Sequence, residues 1–175
     1  MIIGIVCVDE KWGIGKQNDL LFKLKHDMEF FKRETSGKVV FCGYNTLLSF
    51  PGSKPLKGRS TICLCPEGVE RDDCFCVHNF EAAVKLVKEI AKTQSVYVIG
   101  GAMLYKSMLP YYDEVFVNKV YADGEAEVFF PNLDENPDFK IYYADGAIKD
   151  GDYETRLVVY VENNRSKQCN ILQTI

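Results

Sequence analysis

The stretch Ser95-Val96-Tyr97-Val98-Ile99-Gly100-Gly101 decides the fold class of this chain. Its first five residues form an apolar, β-branched run, which predicts a strand buried on both faces. The two glycines lead directly into a helical pattern that runs to Leu109 and stops at Pro110. A buried strand that turns at once into a helix is typical of a parallel sheet with helices on its faces.

The rest of the chain repeats this alternation of strands and helices, and its last third is predicted to contain strands alone. Buried strands are predicted at residues 2–8, 38–42, 60–65 and 74–77, and helices at 24–36, 45–50 and 80–92. A long, glycine-bearing loop is predicted between the first strand and the first helix. Strands are then expected at 115–121, and at 140–144 and 153–162 as an antiparallel pair joined through Asp150-Gly151-Asp152.

These elements predict an α/β fold. We expect a doubly wound mixed sheet that is mostly parallel, with an antiparallel edge strand from the carboxyl-terminal part and helices on both faces. At 175 residues the chain has the size of one domain. We assign that domain to residues 1–163 and expect 164–175 to be a polar tail.

Composition excludes several classes of function. The 21 basic and 25 acidic residues give a net charge of −4, which argues against a nucleic-acid partner. No run of 18 apolar residues and no secretory signal is present, so we expect a cytoplasmic protein without a membrane anchor.

The seven cysteines do not form a disulfide or metal pattern. Cys74-Phe75-Cys76 with His78 is a poor chelating sequence, because one residue between cysteines in an alternating segment makes no ligand loop. No metal site is therefore predicted. Free buried thiols are expected where cysteines lie inside apolar runs, at Cys7, Cys42, Cys63 and Cys65.

One acidic residue falls on the apolar face of the first predicted helix. Leu24, Met28 and Phe31 have helical spacing, and Asp27 lies on the same side. Burial would raise the pKa of such an acid and suit it to proton transfer near neutral pH. An acid in the first turn also complements the helix dipole, so a purely structural role stays open on these residues alone.

Three further segments are candidates for binding an anionic ligand. Gly100-Gly101 and Gly43 each precede a helix start whose amides can meet a phosphate, and two such ends can hold a dinucleotide across a sheet edge. The Gly100-Gly101 corner lacks the full dinucleotide fingerprint, and a plain tight turn explains it as well. Arg59, after Gly58, can grip a carboxylate in a bidentate fork or be a solvated strand-end residue.

Other kinds of chemistry have little support in the sequence. His26 falls on the solvent face of its helix, which argues against a catalytic or ligand role. The serines lack the elbow of serine hydrolases, and no Walker loop is present.

Taken together, seven motifs in order and spacing resemble the dihydrofolate reductases of the bacterial chromosomal type, over residues 1–160. They are Trp12-Gly13-Ile14-Gly15 with Asn18, Asp27 with Phe31, Gly43-x-x-Thr46, Pro55-Leu56-x-Gly58-Arg59, Val98-Ile99-Gly100-Gly101, Tyr105, and Phe129-Phe130-Pro131.

The resemblance implies an enzyme in which NADPH gives a hydride to the pterin of 7,8-dihydrofolate while a proton reaches N5, yielding tetrahydrofolate. It places Asp27, Phe22 and Asn118 at the proton-handling centre. It also implies that Gly100 and Gly101 are joined by a cis peptide bond, and that the loop from Cys7 to Leu20 closes over the nicotinamide. A small-molecule substrate, antifolate inhibitors and a monomeric state are the partners and assembly it implies.

The substrate-binding residues carried over by resemblance are Ile5, Val6, Cys7, Leu20, Asp27, Met28, Phe31, Phe50, Lys54, Leu56, Arg59, Ile99 and Asn118. The cofactor-binding residues carried over are Cys7, Gly13, Ile14, Gly15, Asn18, Asp19, Gly43, Tyr44, Asn45, Thr46, Leu64, Cys65, Pro66, His78, Ile99, Gly100, Gly101, Ala102, Met103, Leu104 and Tyr105.

The chain departs from the family pattern at the centre and at the cofactor end. Leu21-Phe22 replaces the usual proline and tryptophan, and Phe22 has no N–H to hold a water. Asn118 replaces a threonine, but its amide can still donate to Asp27. Tyr44 and Cys65-Pro66 replace phosphate-binding residues, which leaves His78 as a substitute partner and weakens the basis for preferring NADPH over NADH.

Two other functions stay open at this point. A related pyrimidine reductase of riboflavin synthesis shares the fold and cofactor but needs neither the acid nor the arginine. A dinucleotide-binding module without catalysis would explain the sheet but not an acid on an apolar helix face.

Overall fold

The computed structural model describes residues 1–163, and the predicted polar tail at 164–175 lies outside them. The strands are β1 Ile2–Val8, β2 Gly13–Lys16, β3 Asp19–Leu20, β4 Val39–Gly43, β5 Ser60–Leu64, β6 Phe75–Val77, β7 Val96–Val98, β8 Glu114–Val120, β9 Val128–Phe129, β10 Phe139–Ala144, β11 Ile148–Asp150 and β12 Tyr153–Glu162. The helices are α1 Lys25–Thr35, α2 Tyr44–Ser49, α3 Phe80–Ile90 and α4 Ala102–Met108, with 3-10 turns at Pro51–Ser53 and Leu109–Tyr111.

The main sheet has the order β10-β12-β8-β1-β7-β4-β5-β6, with β11 also paired to β12. All pairs from β8 to β6 are parallel, whereas β12 runs antiparallel to β8, β10 and β11. The mixed α/β sheet predicted from the sequence is confirmed. Its antiparallel strand β12 lies one position inside the edge, because β10 pairs along its outer side.

Alternation along the central strands divides the core into two layers. In β1, Ile2 and Val6 face the layer covered by α3 and α4, whereas Ile3 and Ile5 face the layer that receives α1 and α2. Since side chains in a strand point alternately to opposite faces, the buried strands need apolar residues at nearly every position.

The region predicted as a long loop is partly folded. β2 pairs with β3 and with β9, which forms a small antiparallel sheet of three strands. Sequence patterns did not predict this sheet, because its strands are only two to four residues long and because β2 pairs with β9 across more than 100 residues. The loop prediction was wrong here.

Two other boundaries differ from expectation. The Asp150-Gly151-Asp152 turn joins β11 to β12, and β10 precedes this hairpin. α2 begins at Tyr44, one residue before the predicted start, with Gly43 as its cap residue and no side-chain cap. Across residues 1–163, none of the helices is long and apolar enough to cross a membrane.

A glycine in the small sheet offers a test of this packing. A Cβ at Gly13 would lie 2.2 Å from the Ala126 Cβ and 2.7 Å from Asp9 Oδ2, so Gly13→Ala must push the backbone apart. We expect it to lower the free energy of unfolding by about 1–3 kcal/mol, measured by urea denaturation. Gly146→Ala is the control, since nothing lies within 4 Å of its Cβ. Equal stability of the two variants would contradict the packing described.

Candidate active site

The centre of the site is the contact between Asp27 of α1 and Asn118 of β8. Asn118 Nδ2 donates a hydrogen bond of 3.0 Å to Asp27 Oδ1, the donation expected from the sequence. Asp27 is half-buried. Burial raises its pKa, the bond from Asn118 lowers it, and the charge of Asp150 raises it again, so the net direction is upward. The carboxylate is therefore in a setting that favours proton uptake.

Neighbouring strands and helices bring other groups to this centre. Cys7 of β1 is in register with Asn118 on β8, and burial raises the pKa of its thiol well above the usual value. The Tyr105 hydroxyl from α4 donates a 2.7 Å hydrogen bond to the carbonyl of Ile5. Both groups are neutral, so they add no charge beside Asp27.

A row of apolar side chains extends from this centre along α1. Ile5 of β1 and Ile99, directly after β7, belong to one buried cluster, and Phe31, Phe50 and Leu56 pack against it while remaining partly exposed. These five residues were predicted to line the substrate pocket, and the fold brings them together. Such a partly exposed apolar wall suits a flat aromatic ligand.

Arg59 lies at the far end of the same groove. Its Nε donates to Thr35 Oγ1 at 2.9 Å, its Nη1 donates to the Lys57 carbonyl at 2.9 Å, and its guanidinium lies 5.6 Å from the centre of the Phe31 ring. Desolvation lowers its pKa, but it stays cationic at neutral pH. Asp27 and Thr35 are eight residues apart, about 12 Å along the helix. An anion and a cation thus mark the two ends of an apolar groove.

The two predicted phosphate-binding corners are adjacent. The Gly43 amide donates to the Gly100 carbonyl at 2.8 Å, and Gly100 and Gly101 are joined by a cis peptide bond, as the resemblance implied. A Cβ at Gly101 would lie 3.0 Å from Thr46 Oγ1. Only a residue without a side chain leaves this corner open for a close backbone approach.

Not all of the predicted binding residues face this groove. Val6, Leu104 and Tyr105 belong to the core layer on the opposite face of the sheet, and Ile14 and Leu64 pack against that layer. Alternation explains Val6, whose neighbours Ile5 and Cys7 point the other way.

Other expected positions are more exposed than the sequence suggested. Met28, expected on the apolar face of α1, is 55% exposed because this part of the helix borders an open groove. Leu20 and Met103 are also exposed, and Lys54, Asn18, Asp19, Asn45 and Pro66 lie at the surface. Cys7 is half-buried, whereas Cys42, Cys63 and Cys65 are buried free thiols as expected. No grouping of His, Cys, Asp and Glu within residues 1–163 is arranged to hold a metal ion.

Sequence reasoning missed two buried carboxylates, Asp9 and Asp150, each 2% exposed. Asp9 accepts hydrogen bonds from the amides of Lys11, Gly13 and Gly124 at 2.8, 2.6 and 3.1 Å, which ties the small sheet to the segment before β9. The only sequence signal for Asp9 was its place directly after the buried strand β1. Asp150 had been assigned to a turn.

A cavity of about 430 Å³ lies on the β11 side of α1. Asp27 and Asn118 form its inner end, and exposed side chains such as His26, Arg33 and Ile148 line it as well. The central carboxylate therefore has a route to solvent that does not pass through the apolar groove.

The other side of the site is formed by the carboxyl ends of the adjacent strands β4, β5 and β6. The residues that directly follow these strands are Tyr44, Cys65 and His78, respectively. His78 Nε2 lies 3.0 Å from Glu70 Oε1, and its Nδ1 lies 3.0 Å from the Pro66 carbonyl. The Pro66 carbonyl and Glu70 raise the pKa of His78. Nearby, Arg71 is paired with Asp73 through two bonds of 2.7 and 2.6 Å.

The raised pKa of Asp27 predicts the sign of a change in stability. An acid that binds its proton more tightly in the folded state loses stability as pH rises from its unfolded pKa through its folded pKa. Asp27→Asn should therefore raise Tm at pH 7, and the difference should vanish at pH 3, where the acid is protonated in both states. Differential scanning calorimetry measures both.

Asp19→Asn is the control for this experiment. Asp19 is exposed, and its bond to Lys23 lowers its pKa, so its substitution should not raise Tm at pH 7. A lower Tm for Asp27→Asn at pH 7, or an unchanged one, would contradict the desolvation of Asp27.

Comparison with known proteins gives a consistent result. The family model described as Dihydrofolate reductase matches residues 1–163. Dihydrofolate reductase of Bacillus subtilis is 32% identical over 172 residues, covering 95% of this chain and 98% of that protein. The Staphylococcus haemolyticus dihydrofolate reductase is 32% identical over 146 residues, covering 83% of this chain and 85% of that protein. The structure of dihydrofolate reductase from Enterococcus faecalis, solved with NADP(H) and RAB-propyl, superposes on this one with a TM-score of 0.81 at 26% identity. The match covers 94% of this chain and 97% of that protein.

Proposed function

This chain belongs to the dihydrofolate reductase family, and we propose how its own residues reduce dihydrofolate with NADPH. The reaction joins a hydride from the nicotinamide and a proton from solvent to one C=N bond of the pterin, giving tetrahydrofolate and NADP⁺. The observation that carries the proposal is the half-buried Asp27 at the end of an apolar groove that leads to Arg59.

Asp27 binds the polar edge of the pterin and assists protonation at N5. Burial raises its pKa, so Asp27 keeps its proton to a higher pH than an ordinary aspartate does and can pass it on. Asn118 keeps one carboxylate oxygen in place, which leaves the other for the ligand. The apolar wall of Ile5 and Phe31 excludes water from the ring faces.

Arg59 meets the carboxylate at the glutamate end of the substrate. Two of its nitrogens are already anchored to Thr35 and Lys57, which fixes the guanidinium before the ligand arrives. A preorganised, partly desolvated arginine binds a carboxylate more strongly than a mobile surface lysine does.

The glycine corner fits a dinucleotide cofactor. The backbone is open where α4 begins, because Gly43, Gly100 and Gly101 carry no side chains. A Cβ added at Gly101 would crowd Thr46. NADPH supplies the hydride when it is bound. Asp9 holds the small sheet against the segment that precedes β9, which keeps the first loop in position to cover the nicotinamide end.

The proton reaches Asp27 from the cavity on the β11 side of α1. Phe22 is buried, packs edge-on against Tyr153 at 4.9 Å between ring centres, and has no N–H to hold a bridging water. The cavity reaches both Asp27 and Asn118 and opens among exposed side chains. Water in this cavity replaces the water arrangement that an indole would support.

The pyrimidine reductase and the non-catalytic module explain less of the site. Neither gives a reason for an acid and an arginine at opposite ends of one groove. Turnover separates the three functions: the protein is mixed with NADPH and either dihydrofolate or the pyrimidine substrate, and the nicotinamide absorbance is followed. Oxidation only with dihydrofolate supports the proposal, whereas oxidation only with the pyrimidine, or none, contradicts it.

Further properties are proposed from family membership. We infer that the protein works in the cytoplasm as a monomer and that pterin-mimicking antifolates compete for the groove. Inhibition by a diaminopyrimidine is the direct check on the last point.

Substitution of the central acid tests the mechanism. Asp27→Asn keeps the size of the side chain and an acceptor for Asn118 but cannot donate its proton. We expect turnover at pH 7 to fall by about 10²–10⁴-fold and to recover in part at low pH, where the substrate is protonated in advance. Steady-state oxidation of NADPH measures the effect.

Glu29→Gln is the matched control, because Glu29 is an exposed carboxylate on the same helix. Its turnover should stay within about two-fold of the unsubstituted enzyme. Turnover of Asp27→Asn at the same level as this control would remove Asp27 from the mechanism.

The charges near His78 predict weak discrimination between NADPH and NADH. His78 and Arg71 are each paired with a carboxylate, so neither cation is fully available to a 2′-phosphate. Removing the carboxylate that faces His78 should favour the phosphate. Measured below the ordinary pKa of histidine, where His78 is cationic with or without Glu70, Glu70→Gln should raise the ratio of kcat/KM for NADPH over NADH by roughly three- to ten-fold.

Glu67→Gln removes the same charge from the same exposed loop and should leave the ratio unchanged. The ratio for the unsubstituted enzyme should also rise as pH falls, because His78 becomes cationic below its raised pKa. A ratio that responds equally to both substitutions would show that His78 takes no part.

A further inference from the structure

The helix that carries Asp27 has no cap of its own. Leu24 is its cap residue and makes no side-chain hydrogen bond to the first turn. The amides of Lys25, His26 and Asp27 have no partners within the helix, because the first turn of any α-helix leaves its N–H groups unpaired. A serine, threonine, asparagine or aspartate usually supplies the missing acceptor from the adjacent sequence.

Here the acceptor comes from Asp150, more than 120 residues away at the end of β11. Its Oδ1 accepts from the Lys25 amide at 3.1 Å, and its Oδ2 accepts from His26 at 2.9 Å and from Asp27 at 3.3 Å. Asp150 is 2% exposed, so these bonds are sheltered from water. One of them is to the amide of the central acid itself.

The same part of the sheet holds both partners of Asp27. β11 forms a hairpin with β12, and β12 pairs with β8 so that Leu157 is in register with Asn118. Asn118 binds the side chain of Asp27 and Asp150 binds its main chain. The carboxylate is therefore held from two sides by strands that are joined through β12.

We propose that Asp150 is a positioning residue for Asp27, which fixes the start of α1 and places a second carboxylate beside the one that handles the proton. This role rests on the function proposed above and adds to it. Capping the helix needs only a hydrogen-bond acceptor, whereas Asp150 also brings a negative charge to Asp27. A negative charge at this point also disfavours the ionised form of Asp27.

The surroundings of Asp27 are otherwise short of charge. Among the titratable groups that interact with it electrostatically, Cys7 of β1 and Tyr105 of α4 are neutral, because the pKa of each is raised. Asn118 of β8 is neutral and lowers the pKa of Asp27, which Asp150 and burial raise. His26 and Arg33 of α1 and Asp145 before β11 line the adjoining cavity. Asp150 is thus the charged group that acts on the pKa of Asp27.

The test replaces the charge and keeps an acceptor. Asp150→Asn is compared with the unsubstituted protein by a ¹³C NMR titration of the Asp27 carboxyl carbon, identified by its loss in Asp27→Asn. We expect the midpoint to move to lower pH. Turnover at pH 8 should then fall by roughly three-fold while turnover at pH 5 stays within about two-fold, because the protonated fraction is lost only on the alkaline side.

Two further variants separate positioning from folding. Asp152→Asn removes a charge from an exposed residue of the same turn and should leave the midpoint and the pH profile unchanged. Asp150→Ser supplies a neutral cap of different shape and should move the midpoint in the same direction as Asp150→Asn. If both neutral variants lower Tm without moving the midpoint, or if neither folds, Asp150 serves the fold alone and the proposal is overturned.

The titration does not depend on turnover. If the unsubstituted protein fails to oxidise NADPH with dihydrofolate, the proposed function fails whatever the midpoint does. If it turns over but the midpoint stays fixed in Asp150→Asn, only the role of Asp150 fails.

Discussion

The structure depends on one constraint: a carboxylate must stay half-buried and still exchange its proton. Asp27 meets this constraint at the beginning of α1, where burial raises its pKa and the bond from Asn118 opposes part of that rise. Neither effect alone is suitable, since full desolvation would keep the acid protonated and full solvation would keep it ionised. The balance holds only if α1 begins at a fixed place against β8 and β11.

The doubly wound sheet provides that fixed place and the rest of the site together. Its order puts β1 between β8, which carries Asn118, and β7, which ends at the glycine corner. The apolar groove and the glycine corner therefore meet at the carboxyl ends of neighbouring strands, the usual place for ligands in such sheets. Arg59 extends the groove to the far end of α1, where Thr35 anchors it.

Much of this arrangement could be predicted from local sequence patterns. Periodicity placed Asp27 on the inner face of its helix, where it is half-buried, and the Ile99-Gly100-Gly101 run predicted the tight corner between β7 and α4. The small sheet β2-β3-β9 and the carboxylates of Asp9 and Asp150 could not be predicted, because each depends on a contact across more than 100 residues of the chain: β2 with β9, Asp9 with Gly124, and Asp150 with the start of α1. Met28 was misplaced since helical spacing predicts a face but not which part of that face is covered.

The pH dependence of single-turnover hydride transfer, with NADPH and its 4-deuterated form, is the most direct test of proton transfer through Asp27. We expect a rate that is constant at low pH and falls as pH rises through the raised pKa of Asp27, with an isotope effect that shows hydride transfer itself is observed. A rate with a full isotope effect that does not change between pH 5 and pH 9 would contradict it.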